Sequence, residues 1–502
     1  MAIQLELLLR IDRAILWRGA LLLLLLFAFA LPVSGLTVQS LWRDEVDALR
    51  FSQVPLGSLV DSLSRPGWNG PLFYVLLRVW VALTGSSAFS LRYLSLLSGV
   101  LGVAALYRLG RAWFSRVVGY AAALLMACAP YVVWYEQEAK MYALLPALAV
   151  AVLWLYDRAL RGGDWRLWSV LVALTWLTAG MHVMGALIVP LMVVLYFLWW
   201  PVARARWRSA LVALAGCVLP GLVALPWALP LLRQGGDIGH RFVPLPAMAA
   251  TMLYAFGRGI TSAGGLWPIG LSLFCLLAGT FLWPGVSLGD RLWAFARAGR
   301  SRLAEGSYVV AAWAWLLVPL MGLYLISTRV PMFVDRYLIW IGPAFYLLLA
   351  RGLDQLQRRS RLLTGVCLAG LLALNGVGIW QQSAKPIKSD FRAAAMYVRQ
   401  NRQPGELALF HISYVRDTFE YYYGPASPSA DGIPTDETTT PEAVDADMRE
   451  RTAGYEVVWL VLSEPEMWDQ RGMTVAWLDE HGQTTARADF ARVSVIRYRL
   501  AP

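Results

Sequence analysis

Residues 10–45 read RIDRAILWRGALLLLLLFAFALPVSGLTVQSLWRDE. Three arginines, Arg10, Arg13 and Arg18, flank an apolar run from Leu16 to Leu36, and a carboxylate pair, Asp44-Glu45, follows. About 20 apolar residues cross a bilayer as a helix, and excess Lys/Arg marks the cytoplasmic flank. The stretch therefore reads as a membrane anchor that starts inside and delivers two acids to the outer face. It is too internal, and too poorly followed by a small-residue cleavage site, for a signal peptide.

The same alternation continues down the chain. Arg108/Arg111/Arg116, Arg158/Arg161/Arg166, Arg204/Arg206/Arg208, Arg291/Arg297/Arg300/Arg302 and Arg351/Arg358/Arg359/Arg361 fall at every second break between apolar runs. Spans are expected at 16–36, 87–107, 117–134, 139–157, 167–181, 183–200, 209–231, 266–283, 307–327, 337–350 and 362–380. The fold class expected is thus an α-helical polytopic membrane protein of about eleven transmembrane helices. The short runs 167–181 and 337–350 suit a tilted or re-entrant helix. An odd count with a cytoplasmic N-terminus leaves the C-terminal segment extracytoplasmic, in a cell (inner or plasma) membrane.

Composition agrees. The 502 residues are 58% hydrophobic and 15% charged, against roughly 25% charged in a soluble domain. The net charge is +11. From Ser383 to Pro502 there are 13 Lys/Arg and 18 Asp/Glu, a net of −5, so the rest carries +16. That excess sits mostly in loops assigned inside, where anionic headgroups meet it. Arginines split among separate loops argue against nucleic acid as a partner. Cys128, Cys217, Cys275 and Cys367 all lie in apolar runs without metal-site spacing, and burial as small hydrophobes accounts for them.

Two domains are expected: residues 1–382 in the membrane, and 383–502 as an extracytoplasmic α/β domain. In the first outward loop, 37–86, interspersed apolar and charged residues suggest amphipathic helices on the membrane surface. Pro71 then opens a short apolar helix, interfacial or re-entrant. A second outward loop, 233–265, holds seven glycines and reads as a flexible lid or a plain connector. Beyond Trp380, helices are expected at Phe391–Asn401, Glu442–Arg451 and Val475–His481, and strands at Leu407–His411, Val457–Leu462 and Val493–Leu500. Pro425–Pro441 reads as a loop.

The chemistry-bearing residues gather at the outward breaks. Adjacent carboxylates Asp44 and Glu45 raise one pKa or recruit a cation, which suits a general base or a metal-assisted transfer. Capping of the next helix by the same acids is the plainer alternative. In Tyr135-Glu136-Gln137-Glu138-Ala139-Lys140-Met141-Tyr142, polar groups lie next to hydrocarbon, where they are costly and mark function. Lys140 can hold a lipid phosphate, and Tyr142 can add a hydrogen bond. A belt of interfacial Tyr and snorkelling Lys is the alternative. Arg329, Asp335, Arg336 and Tyr337 occupy another outward turn, so the arginines serve either an anionic ligand or a local acid. His182 and His240 are lone histidines, more often structural than ligating.

These pieces, in this order, resemble the GT-C superfamily of polyprenyl-phosphate-sugar glycosyltransferases, in the branch of family 39 protein mannosyltransferases and lipid A aminoarabinose transferases. The resemblance covers roughly residues 15–160 and 330–400. It rests on Asp44-Glu45, Pro71-Leu72-Phe73-Tyr74, Leu91-Arg92-Tyr93-Leu94-Ser95, Gly119 to Ala127, Gln137 to Tyr142, Asp335-Arg336-Tyr337-Leu338 and Asp390-Phe391-Arg392.

The resemblance implies transfer of a sugar, with inversion, from a polyprenyl phosphate to an acceptor hydroxyl or amine on a lipid, glycan or protein, at the extracytoplasmic face. It makes Asp44 the base and Glu45 its support. Lys140, Tyr142 and Arg336 would neutralise the leaving phosphate, with Arg329, Asn69 and Tyr74 as further donor-binding candidates. Two departures stand out. Asn69-Gly70-Pro71 replaces the family's Lys or His before two prolines, and Lys140 replaces an Arg, losing the bidentate fork. No nucleotide cofactor is expected. A divalent cation is left open, with Glu136, Glu138 and His182 as candidate ligands. The rival readings are a lipid or sugar transporter or flippase, disfavoured because the charges cluster at the outward ends of the spans, and a non-catalytic scaffold of the same fold.

Overall fold

A computed structural model describes residues 2–61, 70–233, 241–260, 267–282, 305–432 and 439–501. The chain divides into two compact units. One comprises residues 1–36 and 51–382. The other joins Thr37–Arg50 to Ser383–Pro502. The first outward loop is therefore shared, and the division falls inside the helix Arg43–Gln53.

The first unit is helical, and each of the eleven expected spans carries a helix. Among the described residues five are by themselves long and apolar enough to cross a membrane: Ile15–Val33, Ala88–Trp113, Met141–Gly162, Gly306–Ser327 and Arg361–Ala384. Counting two bent pairs as one span each gives seven. The others, such as Trp165–Met181 and Gly342–Gln357, are shorter.

One bend has a plain cause. Arg116–Ala127 and Pro130–Glu136 meet at 62°. Pro130 cannot donate to the preceding turn, and it pushes Ala129 out of the helical region, to φ −73 and ψ 124. Close helix contact is also written in the sequence. A Cβ on Gly110 would lie 2.7 Å from the Cα of Gly119, so only glycines let Ala88–Trp113 approach Arg116–Ala127 this closely.

The expected flexible lid is corrected in part. Leu245–Arg258 is a helix with Met248, Met252, Ala255 and Phe256 buried. Glycine density misled because the flanking glycines bracket a 14-residue helix. The remainder of that loop, with His240, lies outside the described residues.

The second unit is a five-stranded sheet with helices on both faces. The strands are β1 Leu407–Phe410, β2 Ser429–Asp431, β3 Val457–Ser463, β4 Gly482–Phe490 and β5 Val493–Leu500, in the order β2-β1-β3-β5-β4. β1 runs parallel to β2 and β3, while β5 is antiparallel to β3 and β4. The period-2 alternation of strands sorts the core into two layers. Ala408, Phe410, Trp459 and Val461 pack with the helices Phe391–Asn401 and Ser413–Tyr423. Leu407, Leu409, Val458 and Leu460 pack with Val444, Met448 and Leu478. Pro425–Pro441 is not a loop throughout, since it contains β2. Ser-Ala-Asp has little strand propensity, and its ladder with β1 makes it a strand.

Candidate active site

In the first unit, Tyr131, Asp335, Arg336, Tyr337, Tyr135, Tyr142 and His182 form one connected group. The Tyr131 hydroxyl donates to Asp335 Oδ2 at 3.0 Å. Arg336 Nε donates to the Tyr142 hydroxyl at 3.1 Å, and its guanidinium lies 5.8 Å from the Tyr142 ring centre. Tyr142 meets the edge of Tyr135 at 5.2 Å. The His182 ring is 4.8 Å from Tyr337 and 6.0 Å from Tyr142. Aromatic faces beside a guanidinium hold it by cation–π attraction, so Tyr142 and Tyr337 both help to fix Arg336.

Lys140 is buried immediately before the short 3₁₀ turn Met141–Ala143. Its carbonyl accepts from the Ser95 hydroxyl at 3.1 Å, and its ammonium lies 6.0 Å from the Tyr74 ring. Tyr74 is fully buried and packs edge-on against Phe51 at 5.4 Å. Gly70, at φ +89, opens the helix that carries Tyr74. A side chain there would meet both that left-handed backbone and the Met181 carbonyl.

His182 lies in the turn between Trp165–Met181 and Val183–Leu187. Its Nδ1 accepts the Met184 backbone N–H at 3.1 Å. A neutral imidazole that accepts at Nδ1 carries its proton at Nε2. Burial, helped by the charges of Arg336 and Lys140, lowers the His182 pKa to about 3, so the ring is neutral at any working pH. Nε2 is buried and has no hydrogen-bond partner among the described residues.

Other expected residues are not brought into this group. Arg329 is exposed, and its guanidinium makes no hydrogen bond or ion pair among the described residues. Glu136 is buried against Gly99, where any Cβ would collide with its carboxylate. Glu138 is buried and its carbonyl accepts from the Lys140 N–H at 2.7 Å. Among the described residues no three His, Cys, Asp or Glu side chains converge as a metal site. Glu136, Glu138 and His182 do not form such a three-ligand group. Asn69 lies outside the described residues.

In the second unit, Asp44 and Glu45 occupy the first turn of Arg43–Gln53, where the helix dipole favours negative charge. Asp44 is half-buried, whereas Glu45 is 0% exposed. Glu45 Oε2 pairs with Lys388 Nζ at 3.1 Å. The preceding residues are fastened from the C-terminal side. Gln39 donates to the Lys385 carbonyl at 2.9 Å and accepts from the Ile387 N–H at 2.9 Å. The Arg392 guanidinium donates to the carbonyls of Thr37 and Val38 at 3.0 and 2.8 Å. The Leu41 N–H reaches the Tyr422 hydroxyl, and Arg43 lies over the Tyr414 ring at 4.0 Å. Arg50 pairs with Asp417. Sequence reading missed Lys388, Gln39 and Tyr422. The signal within reach was Arg392, in Asp390-Phe391-Arg392, whose Asp390 caps Phe391–Asn401 by accepting from Ala393 N–H at 3.1 Å.

Known proteins share this arrangement of elements. ArnT from Cupriavidus metallidurans, bound to undecaprenyl phosphate, superimposes with a TM-score of 0.58 at 15% identity, covering 95% of this chain and 98% of that one. The Archaeoglobus fulgidus oligosaccharyltransferase AglB, in complex with an inhibitory peptide and a dolichol-phosphate, gives 0.54 at 12% identity over 97% and 74%. The fold is that of the GT-C glycosyltransferases. Residues 65–229, a third of the chain, also match the model of the dolichyl-phosphate-mannose-protein mannosyltransferase family. The curated proteins give no match. The matched segment includes Lys140, Tyr142 and His182, while Asp44 and Arg336 lie outside it.

Proposed function

We propose that this chain is a membrane glycosyltransferase that moves a sugar from a polyprenyl phosphate to an acceptor hydroxyl or amine at the extracytoplasmic face, with inversion at the anomeric carbon. The observation that carries the reading is the Arg336–Tyr142 contact in a GT-C fold, with Lys140 buried nearby on the same run of chain. Support for the donor class comes from the two solved relatives, which hold undecaprenyl phosphate and dolichol-phosphate.

The chemistry assigns each residue one task. The acceptor oxygen or nitrogen attacks the anomeric carbon as the bond from that carbon to the phosphate oxygen breaks. Asp44 takes the acceptor proton. Polyprenyl phosphate leaves as an anion, and Lys140 and Arg336 stabilise the charge it develops, because fixed cations in a low-dielectric site need little reorganisation. The Tyr142 hydroxyl is held by Arg336 and orients it. Glu45, engaged by Lys388, is a positioning residue for Asp44. The remainder of the second unit, with Thr37–Arg50 fastened to it, serves to place that carboxylate and to select the acceptor.

The test separates the two halves of the reading. Asp44→Asn lowers transfer about 10²–10⁴-fold while binding of undecaprenyl phosphate to the purified full chain stays within threefold. Arg336→Ala and Lys140→Ala each weaken that binding about 10-fold or more, the worth of a charge-assisted contact. Asp44→Asn activity within threefold of wild type removes the base. Unchanged binding in both cation variants removes the phosphate site.

A further inference from the structure

The His182 imidazole holds a proton that nothing in the described structure receives. Its Nδ1 is occupied by the Met184 N–H, which fixes the hydrogen on Nε2. That Nε2 is buried without an acceptor, and the whole side chain is 0% exposed. A buried N–H left unbonded loses its hydration without return, so native structures rarely keep one. The surroundings show what would satisfy it. Tyr337 and Tyr142 flank the ring, and the charges of Arg336 and Lys140 both act on it. Arg336 lies against both of those rings, 5.8 Å from Tyr142 and 6.0 Å from Tyr337, and an orphaned donor beside a guanidinium suits an anionic oxygen. Among the described residues no carboxylate bonds to that Nε2. A metal ion does not suit it either, because the nitrogen that faces the site carries hydrogen rather than a lone pair.

We propose that His182 binds the donor directly, its Nε2–H donating to a phosphate oxygen of the polyprenyl phosphate group as a neutral third contact beside Arg336 and Lys140. The assignment rests on the phosphate-site reading above. It gives His182 a role that a third cation could not fill as well. A neutral donor adds a hydrogen bond to the anion without adding repulsion between positive groups.

Three substitutions separate binding from turn structure. Gln places an amide N–H near the position of Nε2, whereas Asn places its polar atoms near Nδ1 and can still cap Met184. Phe keeps the ring and neither polar group. Undecaprenyl phosphate is the probe, titrated onto the purified full chain in detergent. His182→Gln is expected within about threefold of wild type, and His182→Asn and His182→Phe about 10- to 100-fold weaker, the range of a hydrogen bond to a charged group. In the chain labelled with ¹⁵N-histidine, the His182 Nε2 signal should remain protonated from pH 5 to 8 and move on addition of the probe.

If Asn matches wild type while Gln is weak, His182 serves only the turn, and the proposal fails. If all three variants bind as wild type while Arg336→Ala and Lys140→Ala are weak, the phosphate site stands and His182 is not part of it. If neither cation variant weakens binding, the phosphate-site reading itself has failed. If wild-type binding needs a divalent cation and the Nε2 hydrogen is lost when that cation is added, the histidine is a metal ligand, and the proposal is overturned.

Discussion

Replacing Lys388 by Met tests how the second unit holds the segment that carries Asp44. Lys388 Nζ lies 3.1 Å from Glu45 Oε2, with side-chain exposures of 5% and 0%. At that separation the Coulomb attraction is about 5 kcal/mol with an effective dielectric near 20. Desolvation offsets much of this when the pair forms, yet removing only one partner leaves the other charge buried, at a cost of about 3–5 kcal/mol. The ammonium also lies 5.8 Å from the Trp42 ring, and Met retains the aliphatic packing there. Lys388→Met should therefore destabilise the second unit by about 3–5 kcal/mol and increase hydrogen exchange across Thr37–Arg50. Glu45→Gln/Lys388→Met removes both charges and should recover most of the loss, because an uncharged buried pair carries no desolvation penalty of that size. Transfer activity should follow the same order, with binding of undecaprenyl phosphate unchanged in both. Hydrogen exchange read by mass spectrometry, with thermal unfolding in detergent, measures all three proteins. A single variant within 1 kcal/mol of wild type, or a double variant no better than the single, refutes the reasoning.

Two further predictions concern pH and sidedness. The His182 pKa is about 3 in the fold and about 6.5 unfolded, so the unfolded chain binds the proton first and stability falls as pH drops below 6.5. Between pH 7.5 and pH 5 wild type should lose about 2 kcal/mol more than His182→Gln, and denaturation curves of the two that shift in parallel would count against the buried neutral ring. Ser429→Cys, at the exposed first residue of β2, should react with an impermeant thiol reagent applied from outside the cell; labelling only from the cytoplasmic side refutes the orientation expected from the arginine pattern.

Much of the architecture was legible because membrane burial acts on single segments. The run Leu16 to Leu36 must leave water whatever its neighbours do. The strands Leu407–Phe410, Val457–Ser463 and Val493–Leu500 were equally plain, each being apolar enough to need a core. Ser429–Asp431 and Gly482–Phe490 were not. Their strand character comes from ladders with β1 and β5, which composition does not record.

The candidate site divides along the same line. Sequence alone put carboxylates, cations and tyrosines at breaks between apolar runs and ordered Asp44, Lys140, Tyr142 and Arg336 as in the superfamily the sequence resembles. Only the tertiary structure joined Arg336 to Tyr142 across 194 residues, left Arg329 out, and separated Glu136 from any ligand set. It also fastened Glu45 to Lys388 across 343 residues, so the acid pair belongs with the C-terminal unit. Residue type and local hydropathy determine where a side chain is solvated. Which charge meets which is decided by chain folding over hundreds of residues, and no local pattern encodes it.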